Sequence, residues 1–121
     1  TDIYSVGGVG YFLLTGHPPF VRETPMELLL AHAYEEVPPL TNYIPGLPDD
    51  LQQVILQCLG KKPAERYAHV SELEAALLRC SDARSWTEAD AENWWQELRR
   101  QPEALAANTA SGAVYPTIVL R

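Results

Sequence analysis

A glycine-rich run near the start of the chain is the first feature that could do chemistry, because such runs can cradle phosphate groups. The run is Gly7-Gly8-Val9-Gly10, but a phosphate-binding loop needs a strand before it and a Gly-Lys-Ser/Thr sequence after it. Neither is present, so we predict that these glycines allow close helix packing. Gly60-Lys61-Lys62 lacks both the upstream glycine and the hydroxyl residue, and it is predicted to be an ordinary helix end.

The histidines do not form a catalytic or metal-binding pattern. His17, His32 and His69 are far apart in the sequence, and none has a second ligand at metal-binding spacing. We expect His17 in a turn, His32 on a helix face and His69 near a helix start. No catalytic, cofactor-binding or metal-binding residue is predicted in this chain.

Two pairs of adjacent residues could also be mistaken for functional groups. Asp49 and Asp50 cannot converge on one point of a helix, so they are better explained as charges that complement the helix dipole. Trp94 and Trp95 could form a stacking platform, but such a pair more often anchors a terminal helix. We predict that Trp95 anchors the last helix, and that Trp86 packs on its first turn.

Composition narrows the class of protein. The chain has 121 residues with 9 basic and 16 acidic side chains, a net charge of −7, which suits one small domain with a continuous core. The acidic balance argues against a nucleic-acid partner. Cys58 and Cys80 are too few for a disulfide scaffold, so free thiols and a cytoplasmic location are predicted. The uncharged run 3–20 is broken by glycines and prolines and is too short to be a membrane segment.

The hydrophobic pattern predicts an all-α fold. The first helix spans Asp2 to Thr15, is apolar on every side, and ends at a Gly16 cap. Thr24 and Pro25 begin the second helix, which continues to about Glu35.

Three more helices follow. The third begins after Pro48, and the fourth, from about Val70 to Cys80, is predicted to bury Val70, Leu73 and Leu77, with Ala76 beside them. The fifth begins at the N-cap Thr87. Beyond residue 101 the periodicity is lost, and we expect a flexible tail over 101–121.

Three segments, in this order, closely resemble one family. They are Asp2-Ile3-Tyr4-Ser5-Val6-Gly7, Leu13-Leu14-Thr15-Gly16-His17-Pro18-Pro19-Phe20, and Lys62-Pro63-Ala64-Glu65-Arg66-Tyr67. Over residues 1–80 they resemble the helical C-terminal lobe of bacterial, eukaryotic-type serine/threonine protein kinases. The resemblance implies a partial kinase C-lobe at 1–80, an appended helix at 81–100 and the tail at 101–121.

The resemblance also implies roles for individual residues. Asp2 would open the buried central helix and hold the backbone of the catalytic loop, and Gly7 would let that helix approach its neighbours. Arg66 would form a buried ion pair with the glutamate that ends the activation segment. A docking surface for substrates or regulators is implied at His17, Pro18, Pro19, Phe20, Met26 and Leu29.

Most of what phosphoryl transfer requires does not occur in this sequence. The glycine-rich loop, the strand lysine and the His-Arg-Asp, Asp-Phe-Gly and Ala-Pro-Glu elements would precede Thr1 in the family's order. The chain begins Thr1-Asp2 and its only methionine is Met26, so we expect a cut or processed beginning. The implied parent uses ATP and Mg²⁺ to phosphorylate protein Ser/Thr and binds protein substrates, regulators and the missing part of its own kinase domain. Its membrane anchoring stays open, and the chain alone is predicted to be inactive.

Two other interpretations remain at this point. One is a stand-alone, non-catalytic helical interaction module derived from the same lobe, and the other is a generic helical regulatory domain. If the chain is a kinase fragment, its first helix lacks cover and should be partly exposed. Arg66 would then turn to water or pair with Glu65 or Asp2, because an unpaired buried charge is costly. A marginal or oligomeric fragment is expected.

Overall fold

The computed structural model describes residues 2–101, and these residues contain helices and turns but no strand. The α-helices are α1 (Asp2–Thr15), α2 (Pro25–Tyr34), α3 (Asp49–Cys58), α4 (Val70–Leu78) and α5 (Glu88–Arg100), and two 3-10 turns lie at Leu40–Asn42 and Pro63–Glu65. The predicted all-α class is therefore confirmed for the described part of the chain. The tail predicted beyond residue 101 lies outside the described residues.

The chain divides into two compact units between Arg84 and Ser85. The first unit contains α1 to α4, and the second contains α5. The division predicted at residues 80 and 81 stays a prediction.

Local signals define the ends of three helices as predicted. The Thr24 hydroxyl accepts a hydrogen bond from the Glu27 N–H at 3.2 Å, and the Glu27 carboxylate accepts one from the Thr24 N–H at 3.2 Å. Thr87 and Asp90 form the same reciprocal box at the start of α5. Gly16 ends α1 with a φ of 74°, a conformation that glycine adopts without strain.

The core of the first unit forms where α1 crosses α3. A methyl group on Gly7 would lie 2.7 Å from the Cys58 Cβ, and one on Gly10 would lie 2.7 Å from the Ile55 Cδ1. The two helices are therefore closer than alanine allows at Gly7, whereas at Gly10 the mobile end of the Ile55 side chain would have to move. Gly8 has no atom within 4 Å of such a methyl group, so the predicted packing role is wrong for this glycine.

α3 contributes to both hydrophobic clusters of the first unit. One cluster joins the start of α1 to α3 and α4, and the other joins the second half of α1 to α3 and the turn before it. Their buried members are Ile3, Val54, Cys58, Leu73 and Ala76 in the first, and Tyr11, Leu40, Ile55 and Leu59 in the second. Since α3 belongs to both clusters, it joins both halves of α1 to the middle of α4 and to the turn before α3.

The fourth helix differs from its prediction. It ends at Leu78 instead of Cys80, and Val70 is 65% exposed, while Leu77 is only partly buried. Ala76 and Leu73 are the residues that α4 buries. Helical periodicity places Val70 on the face of Leu73, but burial also needs a neighbouring element opposite the first turn, which periodicity does not report.

One side of α1 is exposed, as expected for a helix that is apolar all round. Val6 is 47% exposed, Val9 58% and Leu13 61%. The three residues are spaced by three and four positions, so they lie on one face. The expectation of a partly uncovered first helix is therefore confirmed.

Both cysteines are free thiols, as predicted. Cys58 is buried and Cys80 is partly buried, and burial raises the pKa of both thiols. Over residues 2–101 we find no helix that combines the length and the apolar character needed to cross a membrane.

Candidate functional site

Residues from all three kinase-like segments meet in one place. The guanidinium carbon of Arg66 lies 4.7 Å from the centre of the Tyr4 ring, and the Lys61 ammonium lies 4.8 Å from the centre of the Phe20 ring. His32 contacts both rings, with ring centres 5.8 Å from Tyr4 and 5.1 Å from Phe20. We call these five residues the Arg66 cluster. It joins α1, the turn after α1, the end of α2 and the loop after α3.

Arg66 bonds to the backbone of its own loop. Its Nε donates to the Gly60 carbonyl at 2.7 Å, and its Nη2 donates to the Lys61 carbonyl at 3.3 Å. The expectation that Glu65 or Asp2 would pair with Arg66 is therefore wrong for the described structure. The 3-10 turn that precedes Arg66 leads the side chain back over these carbonyls and onto the Tyr4 ring, which satisfies the guanidinium without a carboxylate.

Lys61 connects this loop to α2. Its Nζ donates to the Ala31 carbonyl at 3.3 Å and to the His32 carbonyl at 3.0 Å. These carbonyls lie in the last turn of α2, where a positive charge is favourable, and the Ala31 carbonyl also accepts the Glu35 N–H at 2.9 Å. Burial lowers the pKa of Lys61 and the Arg66 charge lowers it further, while Glu35 opposes both effects.

His32 and Tyr4 form the hydrogen bond between α2 and α1. The Tyr4 hydroxyl lies 2.7 Å from the His32 Nδ1. Burial raises the pKa of Tyr4, although the Arg66 charge opposes this effect. Burial lowers the pKa of His32, and the Lys61 charge adds to the effect. Both shifts favour a protonated hydroxyl that donates to a neutral imidazole.

Neither cation of the Arg66 cluster has a carboxylate partner. Arg22 and Glu35 form an ion pair with each other. Arg22 also lies 5.7 Å from the centre of the Phe20 ring, so it borders the cluster from the turn after α1. In the described structure the two cations of the cluster are therefore bonded to backbone carbonyls and not to a carboxylate.

The other two predicted positioning residues lie on α1. Asp2 is exposed in the first turn of α1, and Gly7 is buried against α3. The role of each in a kinase stays a prediction, because it depends on groups outside the described residues.

The residues predicted for docking divide into exposed and buried members. Met26 and Leu29 are each 64% exposed on α2, and His17 is exposed with its ring stacked on Tyr43 at 4.5 Å. Pro18 is partly buried. Pro19 and Phe20 are buried, so in the described structure these two side chains present no surface to a partner.

The predicted anchor residues belong to the second unit. Trp86 is 61% exposed and Trp95 40%. The rings of Trp94 and Trp95 meet edge to face, with centres 4.8 Å apart. Anchoring of α5 by Trp86 and Trp95 stays a prediction.

Sequence reasoning missed three members of the cluster. From the sequence, Lys61 is predicted only as part of a helix end and His32 only as part of a helix face, and Tyr4 belongs to a kinase-like segment with no role of its own. Contacts such as Tyr4 to His32, 28 positions apart, leave no periodic signal. The sequence contains one signal for these contacts. In the loop after α3, the basic residues, which include Lys61 and Arg66, outnumber the acidic ones.

Two features of the described residues bear on phosphate and metal binding. Among residues 2–101 we find no group of three or more His, Cys, Asp or Glu side chains that could hold a metal ion. The glycine run 7–10 lies inside α1, where Gly7 and Gly10 face α3, so its backbone N–H groups are helical and cannot cradle phosphate.

The known proteins that this chain resembles in sequence include several bacterial serine/threonine-protein kinases. The serine/threonine-protein kinase PknB of Mycobacterium tuberculosis (strain H37Rv) is 40% identical over 80 residues, which is 65% of this chain. PknB of Mycobacterium leprae is 38% identical over 79 residues, 65% of this chain. A probable serine/threonine-protein kinase PknB of Corynebacterium glutamicum is 33% identical over 120 residues, 96% of this chain. No model of a known protein family matches the chain.

The chain spans only a small part of each relative. It covers 13% of the two mycobacterial kinases and 19% of the corynebacterial one. Identity at this level over most of the chain nevertheless reflects common descent. The chain is thus homologous to a segment of bacterial serine/threonine protein kinases.

Proposed function

We propose that this chain is part of the C-terminal helical lobe of a serine/threonine protein kinase, whose parent phosphorylates protein hydroxyls using ATP and Mg²⁺. The observation that carries the proposal is the Arg66 cluster, because it joins Tyr4, Phe20 and Arg66 from the three kinase-like segments. Those segments lie up to about sixty residues apart in the sequence. A chance match of short motifs would not bring them into contact.

In this proposal α1 is the central helix of the lobe. Its exposed face, formed by Val6, Val9 and Leu13, would be covered by the remainder of the kinase domain. An apolar face of this kind on a folded protein marks a surface that another element covers. Asp2, exposed at the start of the same helix, would then lie next to the catalytic loop and hold its backbone.

Arg66 would bind a carboxylate supplied by the rest of the kinase domain, as the resemblance implies for the glutamate that ends the activation segment. The positive charges of Arg66 and Lys61, with no carboxylate bound to either in the described structure, support this role. A guanidinium binds a carboxylate through two parallel hydrogen bonds. Arg66 can form such a pair by releasing its bonds to the Gly60 and Lys61 carbonyls.

The protein substrates or regulators of the parent would dock on α2 and the turn before it. Met26 and Leu29 provide exposed apolar side chains, and His17 provides an exposed ring. We propose a cytoplasmic location for this part of the parent, because kinase substrates and ATP are available there. A nucleic-acid partner is not proposed, given the net charge of −7.

We propose that α5 belongs to an extension that follows the kinase lobe, with residues 81–100 as the appended helix. The match to the corynebacterial kinase, which covers 96% of this chain, supports a shared segment beyond residue 80. Trp86 and Trp95 would hold this helix in place through their large apolar surfaces.

A chimeric kinase tests the proposal. The 80 residues of M. tuberculosis PknB that match this chain would be replaced with the matching segment of this chain. We expect the chimera to phosphorylate a protein substrate, while the isolated chain neither binds Mg-ATP nor transfers phosphate. A folded chimera without activity, or phosphate transfer by the purified chain alone, would contradict the proposal.

The alternative, a non-catalytic interaction module, is favoured by one observation. Residues 2–84 of the first unit have their own buried core. The coding sequence upstream of Thr1 distinguishes the two possibilities. An in-frame segment encoding the His-Arg-Asp and Asp-Phe-Gly elements supports the kinase, whereas a start codon with its own promoter supports the module.

A further inference from the structure

The proposed function makes no use of His32, although this residue lies at the centre of the Arg66 cluster. Its Nδ1 is 2.7 Å from the Tyr4 hydroxyl, and the Tyr4 ring lies below the Arg66 guanidinium at 4.7 Å. The imidazole therefore contacts the ring on which Arg66 rests.

The position of His32 is itself fixed from two sides. The Phe20 ring meets the imidazole edge to face, with centres 5.1 Å apart. The Lys61 ammonium bonds to the His32 backbone carbonyl at 3.0 Å. The imidazole is thus held in place, and its hydrogen bond fixes the tilt of the Tyr4 ring.

We propose that His32 is a positioning residue that sets the orientation of Arg66 through Tyr4, and that protonation of His32 releases this arrangement. The inference rests on the proposed function, because the carboxylate that Arg66 would bind belongs to the kinase. In the neutral state the Nδ1 accepts a hydrogen bond from the Tyr4 hydroxyl. In the charged state both ring nitrogens are donors, so the hydrogen bond reverses and the Tyr4 hydroxyl becomes the acceptor. The added positive charge then repels Lys61 and Arg66 and loosens the contact of Arg66 with the Tyr4 ring.

The charges around the imidazole favour this sensitivity. Lys61 and Arg66 approach from the loop after α3, and Tyr4 approaches from α1. Arg22 lies beyond Phe20 in the turn after α1, where it is paired with Glu35 at the end of α2. The one carboxylate of this set, Glu35, is paired with Arg22 and also acts on Lys61, so a protonated His32 would add a further positive charge beside Lys61 and Arg66.

The shifted pKa of His32 agrees with the geometry. Burial and the Lys61 charge lower the pKa of this imidazole. The neutral form, which keeps Arg66 in place, therefore predominates at neutral pH, and the charged form accumulates only as the pH falls below the usual histidine range. A kinase in which Arg66 binds its carboxylate through this brace would lose activity on acidification.

The Arg66 side chain can be observed directly in the 121-residue chain. Because its guanidinium lies over an aromatic ring, the Nε–H proton signal of Arg66 should be shifted upfield by the ring current. Between about pH 8 and pH 5, which spans the range in which histidine titrates, we expect this signal to move back toward its random-coil position. The imidazole signals of His32 should titrate with the same midpoint.

Three variants assign the effect. His32→Asn keeps a hydrogen-bond acceptor near the Nδ1 position but cannot titrate in this range, so the Arg66 signal should stay upfield at every pH. Tyr4→Phe keeps the ring under Arg66 but removes the hydroxyl. The Arg66 signal should then no longer follow the titration of His32. His69→Asn is the matched control, because His69 lies outside the cluster at the N-cap of α4, where asparagine is well tolerated; it should behave as the unmodified chain.

The outcomes separate this inference from the proposed function. A pH-independent Arg66 signal in the unmodified chain, pH dependence that persists in His32→Asn, or a random-coil Arg66 signal at about pH 7.5 would overturn the positioning role. None of these results depends on kinase activity. In the chimeric kinase, His32→Asn should flatten the fall of activity below about pH 6.5, and an unchanged acid profile would likewise overturn it.

Discussion

Gly7→Ala is the perturbation that tests the close contact between α1 and α3. A methyl group at this position would lie 2.7 Å from the Cys58 Cβ and 2.9 Å from the Leu59 Cγ, whereas carbon atoms in good contact are about 3.5–4.0 Å apart. The atom nearest to the new methyl group is a Cβ, which cannot move without its backbone. The helices must therefore separate or strain.

The expected magnitude follows from two opposing effects. Overpacking a core costs about 1 to 3 kcal/mol, while replacing glycine with alanine inside a helix gains about 0.8 to 1.0 kcal/mol. Gly7→Ala should therefore lower the free energy of unfolding by about 0 to 2 kcal/mol. Gly8→Ala is the matched control, since no atom lies within 4 Å of its methyl group, and it should raise the free energy by about 1 kcal/mol.

The difference between the two variants is the measured quantity. Urea denaturation of both variants should give free energies of unfolding that differ by about 1 to 3 kcal/mol. The slopes of the two denaturation curves should be equal. The Gly7→Ala melting temperature should be lower than that of Gly8→Ala by at least about 4 °C. Gly10→Ala should fall between them, because its methyl group meets the Ile55 Cδ1, the mobile end of a side chain. Equal stability of Gly7→Ala and Gly8→Ala would refute the proposed helix contact.

Three further predictions concern the caps, the acid stability and the last helix. Thr24→Ala removes the hydroxyl that accepts the Glu27 N–H and should cost about 1 kcal/mol in urea denaturation; no loss would mean that the capping box does not contribute. The Asp50 carboxylate accepts the N–H groups of Ser81 at 2.7 Å and Leu51 at 2.8 Å, which lowers its pKa. Its contribution to stability should be present above about pH 4 and lost as the pH falls further, so Asp50→Asn should flatten the acid limb of the stability curve, and an unchanged limb would contradict this. Trp95→Ala should lower the melting temperature if Trp95 anchors α5, whereas an unchanged curve would favour an exposed, partner-binding tryptophan.

The helix ends could be predicted because their signals are local. Thr24 with Glu27, Thr87 with Asp90 and Gly16 each act within a few residues of a helix end, so the sequence contains the whole interaction. The same holds for the all-α class, which follows from periodic apolar residues and from the absence of alternating segments.

Burial and partner choice could not be predicted in the same way. Val70 follows the apolar period of α4 but is exposed, because no period reports whether another element lies opposite. The sequence predicts that Arg66 turns to water or pairs with Glu65 or Asp2, but it bonds to backbone carbonyls and lies over the Tyr4 ring. His32 and Lys61 acquire their contacts from residues about thirty positions away, and only the folded chain shows them.

The role of Arg66 in phosphate transfer is the most direct test of the account. In the chimeric kinase, Arg66→Ala should reduce the rate of phosphorylation of a protein substrate at least about tenfold, since leaving one member of a buried ion pair alone costs about 3 to 5 kcal/mol. Lys62→Ala, at an exposed neighbouring position, is the control and should keep the full rate. An Arg66→Ala chimera as active as the Lys62→Ala chimera would contradict the assignment of this chain to the kinase lobe.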